Sequence, residues 1–153
     1  MNTTFGNMVW NQDFREFVQS LNDNEARYLV VGGYAVALHG HPRYTKDLDV
    51  WIELTPTNAA NLIRALDRFG FASLGLKEAD FLEPDQIIQL GYPPNRIDIL
   101  TTLPGVELAE CYASRLTVTI DDTPVNFINL DDLKKNKKAS GRLQDLADLQ
   151  NLE

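Results

Sequence analysis

Lys46-Asp47-Leu48-Asp49-Val50-Trp51-Ile52 is the stretch on which the reading of this 153-residue chain turns. Leu48, Val50 and Ile52 alternate with Asp47, Asp49 and Trp51, which is the period of a β-strand whose two faces differ. A charged carboxylate in such an apolar run is costly unless something cationic meets it. Side chains two positions apart on a strand share a face, roughly 6–7 Å apart along it, so Asp47 and Asp49 project together. Two such carboxylates repel by about 2–3 kcal/mol at an effective dielectric near 20. A divalent cation between them removes that repulsion.

A second apolar run carries the same signature. In Arg96-Ile97-Asp98-Ile99-Leu100, the two isoleucines belong to the core face, and Asp98 shares the other face with Arg96 and Leu100. If this strand lies beside the first, three carboxylates converge on one patch. Oxygen ligands without a His or Cys cluster suit Mg²⁺, which keeps some waters and takes further ligands from substrate phosphates. Upstream, the strand Tyr28-Leu29-Val30-Val31 runs into Gly32-Gly33 and then a short helix over Tyr34 to Leu38. Glycines between a strand and a helix let the backbone approach an anion closely, and a helix start offers N–H groups. A tight turn accounts for most Gly-Gly pairs. Here thirteen residues separate Gly33 from Asp47, and that placement ties the pair to the carboxylates.

The rest of the chain supplies a scaffold of helices and strands. Trp10, Phe14, Phe17, Val18 and Leu21 recur at helical spacing. Thr55-Pro56 opens a helix with Thr as N-cap and Pro in the first turn, and Gly70 ends it. Gln86 to Gly91 and Arg96 to Leu100 form paired strands around a tight connection. Val106 to Ala113 is helical, and Leu116 to Ile120 with Val125 to Ile128 form a β-hairpin. One or two helices close the chain, with Leu143, Leu146, Ala147 and Leu149 as their packing stripe. No repeat or linker interrupts this pattern, so residues 1–153 make one α+β domain with its core over about 25–150.

Composition sets limits. Hydrophobic residues make up 44% and charged residues 24%, ordinary for a soluble globular protein. No apolar run reaches the roughly 18 residues of a membrane span, and the N-terminus has no signal-peptide pattern. A lone cysteine, Cys111, offers no disulfide framework and suits a reducing cytoplasm, where it is a helix packing residue. The net charge of −8 argues against broad nucleic-acid binding. Lys134, Lys135, Lys137, Lys138 and Arg142 nevertheless fall within nine residues, either as a local phosphate site or as a solvated helix face. His39 and His41 have no metal-ligand partner at a convincing spacing and belong to turn hydrogen bonding. Asp145 and Asp148 pair with Arg142 and Lys138 on the last helix rather than binding metal.

Leu29-Val30-Val31-Gly32-Gly33, Arg43-Tyr44-Thr45-Lys46-Asp47-Leu48-Asp49 and Arg96-Ile97-Asp98-Ile99 together resemble the DNA polymerase beta-like nucleotidyltransferase superfamily. Within it, the chain is most similar to small bacterial proteins related to abortive-infection-type nucleotidyltransferase toxins. The closing stretch from Asn136 to Leu149 resembles their C-terminal motif, and the resemblance spans roughly residues 25 to 150. It implies a mixed sheet flanked by helices, and two Mg²⁺ ions joining an NTP to Asp47, Asp49 and Asp98. A nucleotidyl group would pass to an acceptor hydroxyl, on a protein, an RNA end or a small molecule, with release of pyrophosphate. Asp47 and Asp49 would bind both metals, and Asp98 the metal that activates the acceptor. Gly32 and Gly33 would hold the triphosphate. Arg43 and Thr45 either contact phosphate or stabilise their turn. Lys138 and Arg142 would stand near the phosphates, with Asp145 orienting one of them.

The chain departs from that pattern at Gly32-Gly33, where many members have Gly-Ser, and at Gln144, where related toxins often have Lys. At 153 residues it is expected to lack the C-terminal helical domain that larger relatives use to hold an acceptor. The expectation is a cytoplasmic, bacterial, Mg²⁺-dependent nucleotidyltransferase of a toxin–antitoxin or phage-defence system. The alternatives are a catalytically inactive nucleotide-binding regulator of a partner protein, and a different carboxylate enzyme or structural domain.

Overall fold

The structure, a computed structural model, describes residues 11–40, 47–71, 74–92 and 95–152. Helix α1 (Gln12–Asp23) buries Phe14, Phe17, Val18 and Leu21, and the Asn11 side chain caps it by accepting from the Asp13 amide. Trp10 lies outside the described residues, as do Arg43, Thr45 and His41. Helix α3 (Pro56–Phe69) begins and ends as its sequence dictates. Thr55 Oγ1 accepts from the Asn58 amide, Pro56 occupies the first turn, and Gly70 closes the helix at φ 105°. The two helices pack together through Ser20 Oγ donating to the Ala65 carbonyl at 2.8 Å. Phe17 also meets Phe69 edge-to-face at 5.4 Å.

Among the described residues six strands form one mixed sheet: β1 (Tyr28–Val31), β2 (Leu48–Ile52), β3 (Ile87–Leu90), β4 (Ile97–Leu100), β5 (Leu116–Ile120) and β6 (Thr123–Phe127). Their order across the sheet is β3-β4-β2-β1-β6-β5. Sequence neighbours pair antiparallel, whereas β2 with β4 and β1 with β6 pair parallel. Asp121 and Asp122 both have positive φ between β5 and β6, the signature of a two-residue hairpin turn.

Register decides which side chains share a face. Val30, Val50 and Ile99 are aligned on the core side. Val31, Asp49, Asp98 and Gln89 are aligned on the other. Helix α2 (Gly32–Leu38) starts directly after β1, so the two glycines are its first turn rather than a loop before it. Helix α4 (Leu108–Ala113) carries Cys111, which is buried and whose thiol burial pushes up to about 12, as a packing residue would be. His39 Nε2 lies 2.9 Å from the Ile128 carbonyl, a hydrogen bond at the end of α2.

The C-terminal pair, α5 (Leu130–Ser140) and α6 (Leu143–Leu152), corrects the expected stripe. Leu143 is 89% exposed and Leu146 43% exposed, while Asp145 and Asp148 are the buried residues of α6. The reason is a charge. Lys137 on α5 is buried, and a buried ammonium needs carboxylates more than α6 needs to hide two leucines. No helix among the described residues is long and apolar enough to cross a membrane.

Candidate active site

The parallel pairing of β2 with β4 sets Asp49 opposite Asp98, at the separation of neighbouring strands. Asp47 stands just before β2, at the mouth of the same face. On the other side β1 brings Val31 opposite Asp49, and the next residue is Gly32. Gly32 adopts φ +66°, and a Cβ there would overlap Asp49 Oδ2. Its glycine is therefore required twice, by backbone angle and by the carboxylate it faces. Gly33 is buried in the first turn of α2 and does not line the cleft.

The carboxylates line a cleft of about 680 Å³. Gly32 and the three aspartates form its floor, and Ile87, Leu100 and Leu103 give it an apolar side. Asn136, Lys137, Ser140, Arg142 and Asp145 from the C-terminal helices and their junction also line it. A tight junction presses α5 into place. Asn136 Nδ2 donates to the Pro104 carbonyl at 3.1 Å. Gly105, at φ +81°, lies so close that a Cβ would come within 3.1 Å of the Lys135 carbonyl oxygen.

Electrostatics in the cleft are uneven. Burial, then the charges of Asp98 and Asp47, pushes the Asp49 carboxyl up to about 7; Lys137 and Arg96 oppose the rise. Asp98, itself buried, is gripped by Arg96. Nε donates to Oδ1 and a terminal guanidinium nitrogen to Oδ2, each at 3.0 Å. The same Nε lies 3.9 Å from Asp47 Oδ2. Among the described residues no three His, Cys, Asp or Glu side chains stand arranged as metal ligands.

Between the C-terminal helices Lys137 Nζ donates to Asp145 Oδ1 at 2.8 Å and lies 3.0 Å from Asp148 Oδ2. Asp145 also accepts from Ser140 Oγ and from Arg142 Nε, the latter at 2.7 Å. Burial alone would raise the Asp145 carboxyl, but those three donors outweigh it and hold it down at about 2.

The expected residues are thus partly assembled. Asp47, Asp49, Asp98, Gly32 and Arg142 share the cleft. Lys138 does not: it is exposed and outside the cleft lining, and the neighbouring Lys137 takes the buried position and the pairing with Asp145 and Asp148. Sequence reasoning counted Lys137 only within the basic cluster and passed over Asn136 and Gln89. For α5 a signal was present, because Leu133, Asn136, Lys137 and Ser140 follow the i, i+3, i+4, i+7 spacing of an inward helix face.

No protein-family model and no curated protein sequence matches the chain. Solved structures do. A proposed nucleotidyltransferase of Thermotoga maritima superposes with a TM-score of 0.61 at 14% identity, over 90% of this chain and 88% of that one. An antigenic nucleotidyltransferase-like protein of Paracoccidioides brasiliensis superposes with a TM-score of 0.52 at 15% identity, over 92% and 76%. The fold is therefore nucleotidyltransferase-like: a six-stranded mixed sheet flanked by helices.

Proposed function

We propose that the chain is a nucleotidyltransferase that moves a nucleotidyl group from an Mg²⁺-bound NTP to an acceptor hydroxyl on a protein, an RNA end or a small molecule. It would belong with the small abortive-infection-related bacterial enzymes of toxin–antitoxin or phage-defence systems and work in the cytoplasm. One observation carries this reading. Asp49 and Asp98 are register partners on adjacent parallel strands, in a cleft that Lys137 and Arg142 also line.

The donor set suits a hard divalent cation by its chemistry, while in this structure Arg96 holds Asp98 and the three carboxylates are not set as ligands. Every candidate ligand is a carboxylate oxygen, and the Asp49 carboxyl is raised first by burial and then by the like charges of Asp98 and Asp47. Asp47 and Asp49 would hold such ions, with Asp98 joining them. Bound there, Mg²⁺ would neutralise the phosphates and lower the pKa of the acceptor hydroxyl. In the transfer, the acceptor oxygen bonds to the α-phosphorus as the bond to the β-phosphate breaks. Pyrophosphate leaves, and the hydroxyl proton passes to the carboxylate side of the cleft. Lys137 supplies a fixed positive charge in the cleft. Arg142, whose side chain is 81% exposed, can turn towards a phosphate. Ile87, Leu100 and Leu103 offer apolar surface to a base or an acceptor.

Label transfer from each radiolabelled NTP in cell lysate tests the reading, with the Asp49→Asn protein as control. Transfer that persists in Asp49→Asn would refute it. A second reading, nucleotide binding without transfer on behalf of a partner protein, draws support from the Arg96 grip on Asp98. The two part at Asp98→Asn. The enzyme should keep most NTP affinity and lose about 10²–10⁴ in transfer rate. The regulator should bind NTP and transfer nothing even as wild type.

A further inference from the structure

Arg96 occupies the place of a cation among the three aspartates. Its fork spans both oxygens of Asp98 and reaches to 3.9 Å from Asp47, and its charge also acts on Asp49. A guanidinium does not lose its proton in a protein, so it cannot yield the carboxylates by titration. It can yield them only by rotating away. The exposures say which partner moves: the Arg96 side chain is 32% exposed and Asp98 only 10%. The arginine also lines the cleft into which it would turn.

We propose that Arg96 is an internal substitute for the divalent cation. In the ligand-free protein it holds Asp98 and neutralises Asp47, and it competes with metal for both. Its fork fits phosphate as well as carboxylate, so a polyphosphate in the cleft gives it somewhere else to go. Metal alone then binds weakly, while metal and polyphosphate bind cooperatively, each easing the entry of the other. The polyphosphate arm rests on the nucleotidyltransferase reading. Competition for the aspartates does not.

The test is Mn²⁺ binding to the full chain, followed by the electron paramagnetic resonance of the free ion, without and with inorganic tripolyphosphate. Arg96→Gln removes the competing charge, and its affinity for Mn²⁺ alone should rise about tenfold. The gain in Mn²⁺ affinity that tripolyphosphate gives the wild type should shrink in this variant. Arg96→Lys keeps the charge without the fork and should fall between the two. A purely structural ion pair predicts otherwise: Arg96→Gln would melt earlier with unchanged Mn²⁺ affinity, and that result overturns the proposal. If Arg96→Gln does not fold, Arg96→Lys decides, and affinity no higher than wild type overturns it. Asp49→Asn separates the two readings. Metal binding lost there but unaltered in Arg96→Gln refutes the substitute role alone, and no Mn²⁺ binding with or without tripolyphosphate in any protein refutes both.

Discussion

Asp49 combines burial with two like charges, and its raised carboxyl has a direct consequence for stability. Its unfolded value is 3.8 and its folded value about 7, so between those pH values the folded state holds the proton more tightly. Stability contributed by this group is present below about pH 4 and is lost as pH rises to about 7. Asp49→Asn removes the penalty. Its melting temperature should exceed that of the wild type at pH 8, by the equivalent of a few kcal/mol at most, and match it near pH 4. Melting curves across that range check the sign. Gly32 makes the reverse case. Gly32→Ala meets both a positive φ and the Asp49 carboxylate, and should cost about 1–3 kcal/mol. Denaturant unfolding measures it, and a neutral outcome would mean that Asp49 can turn aside.

Helices α5 and α6 are held together by a buried charge rather than by an apolar seam. Lys137 faces two carboxylates that are themselves almost wholly buried. Lys137→Ala leaves both without their ammonium and should cost about 3–5 kcal/mol. Lys138→Ala and Leu143→Ser, on exposed faces, should stay within about 0.5 kcal/mol of wild type. Thermal melts of the three proteins test the contrast, and similar losses in Lys137→Ala and Lys138→Ala would contradict the described packing. Asp145 adds a pH limb opposite to that of Asp49. Its carboxyl is held down at about 2, so its contribution is present above pH 4 and disappears as pH falls towards 2.

Across the molecule, the cleft is shared by strands from the middle of the chain and helices from its end. A ligand bridging Asp49 to the α5–α6 wall therefore ties distant segments together. An Mg²⁺–NTP complex at a hundredfold excess over its Kd should stabilise the whole fold by about 2.7 kcal/mol. EDTA should abolish the effect, and Asp49→Asn should not show it. Thermal shift with each NTP in turn would also rank the nucleotides. A shift equal in the presence of EDTA would place the nucleotide elsewhere than on the carboxylates.

Local rules carried far in this chain. The caps of α3, the alternation of β2 and β4 and the shared face of Asp47 and Asp49 could be read from residues alone. Each is set by neighbours within a few positions. The resemblance carried by those motifs implied the nucleotidyltransferase-like fold that the solved structures share. Three things needed the tertiary structure. The parallel register of β2 on β4 made Asp49 and Asp98 partners, because strand pairing joins residues that lie far apart in sequence. The inward turn of α6 followed from Lys137, since a buried cation can outweigh two leucines only when a second helix brings carboxylates to it. The pairing of Arg96 with Asp98 was legible as a same-face i, i+2 pair, but its two-pronged geometry and its reach to Asp47 were not. Residue identity and local spacing set which side chains could make a charged site. Only the folded chain decided which charges meet, because electrostatic energy depends on distance and burial, and both are properties of the packed molecule.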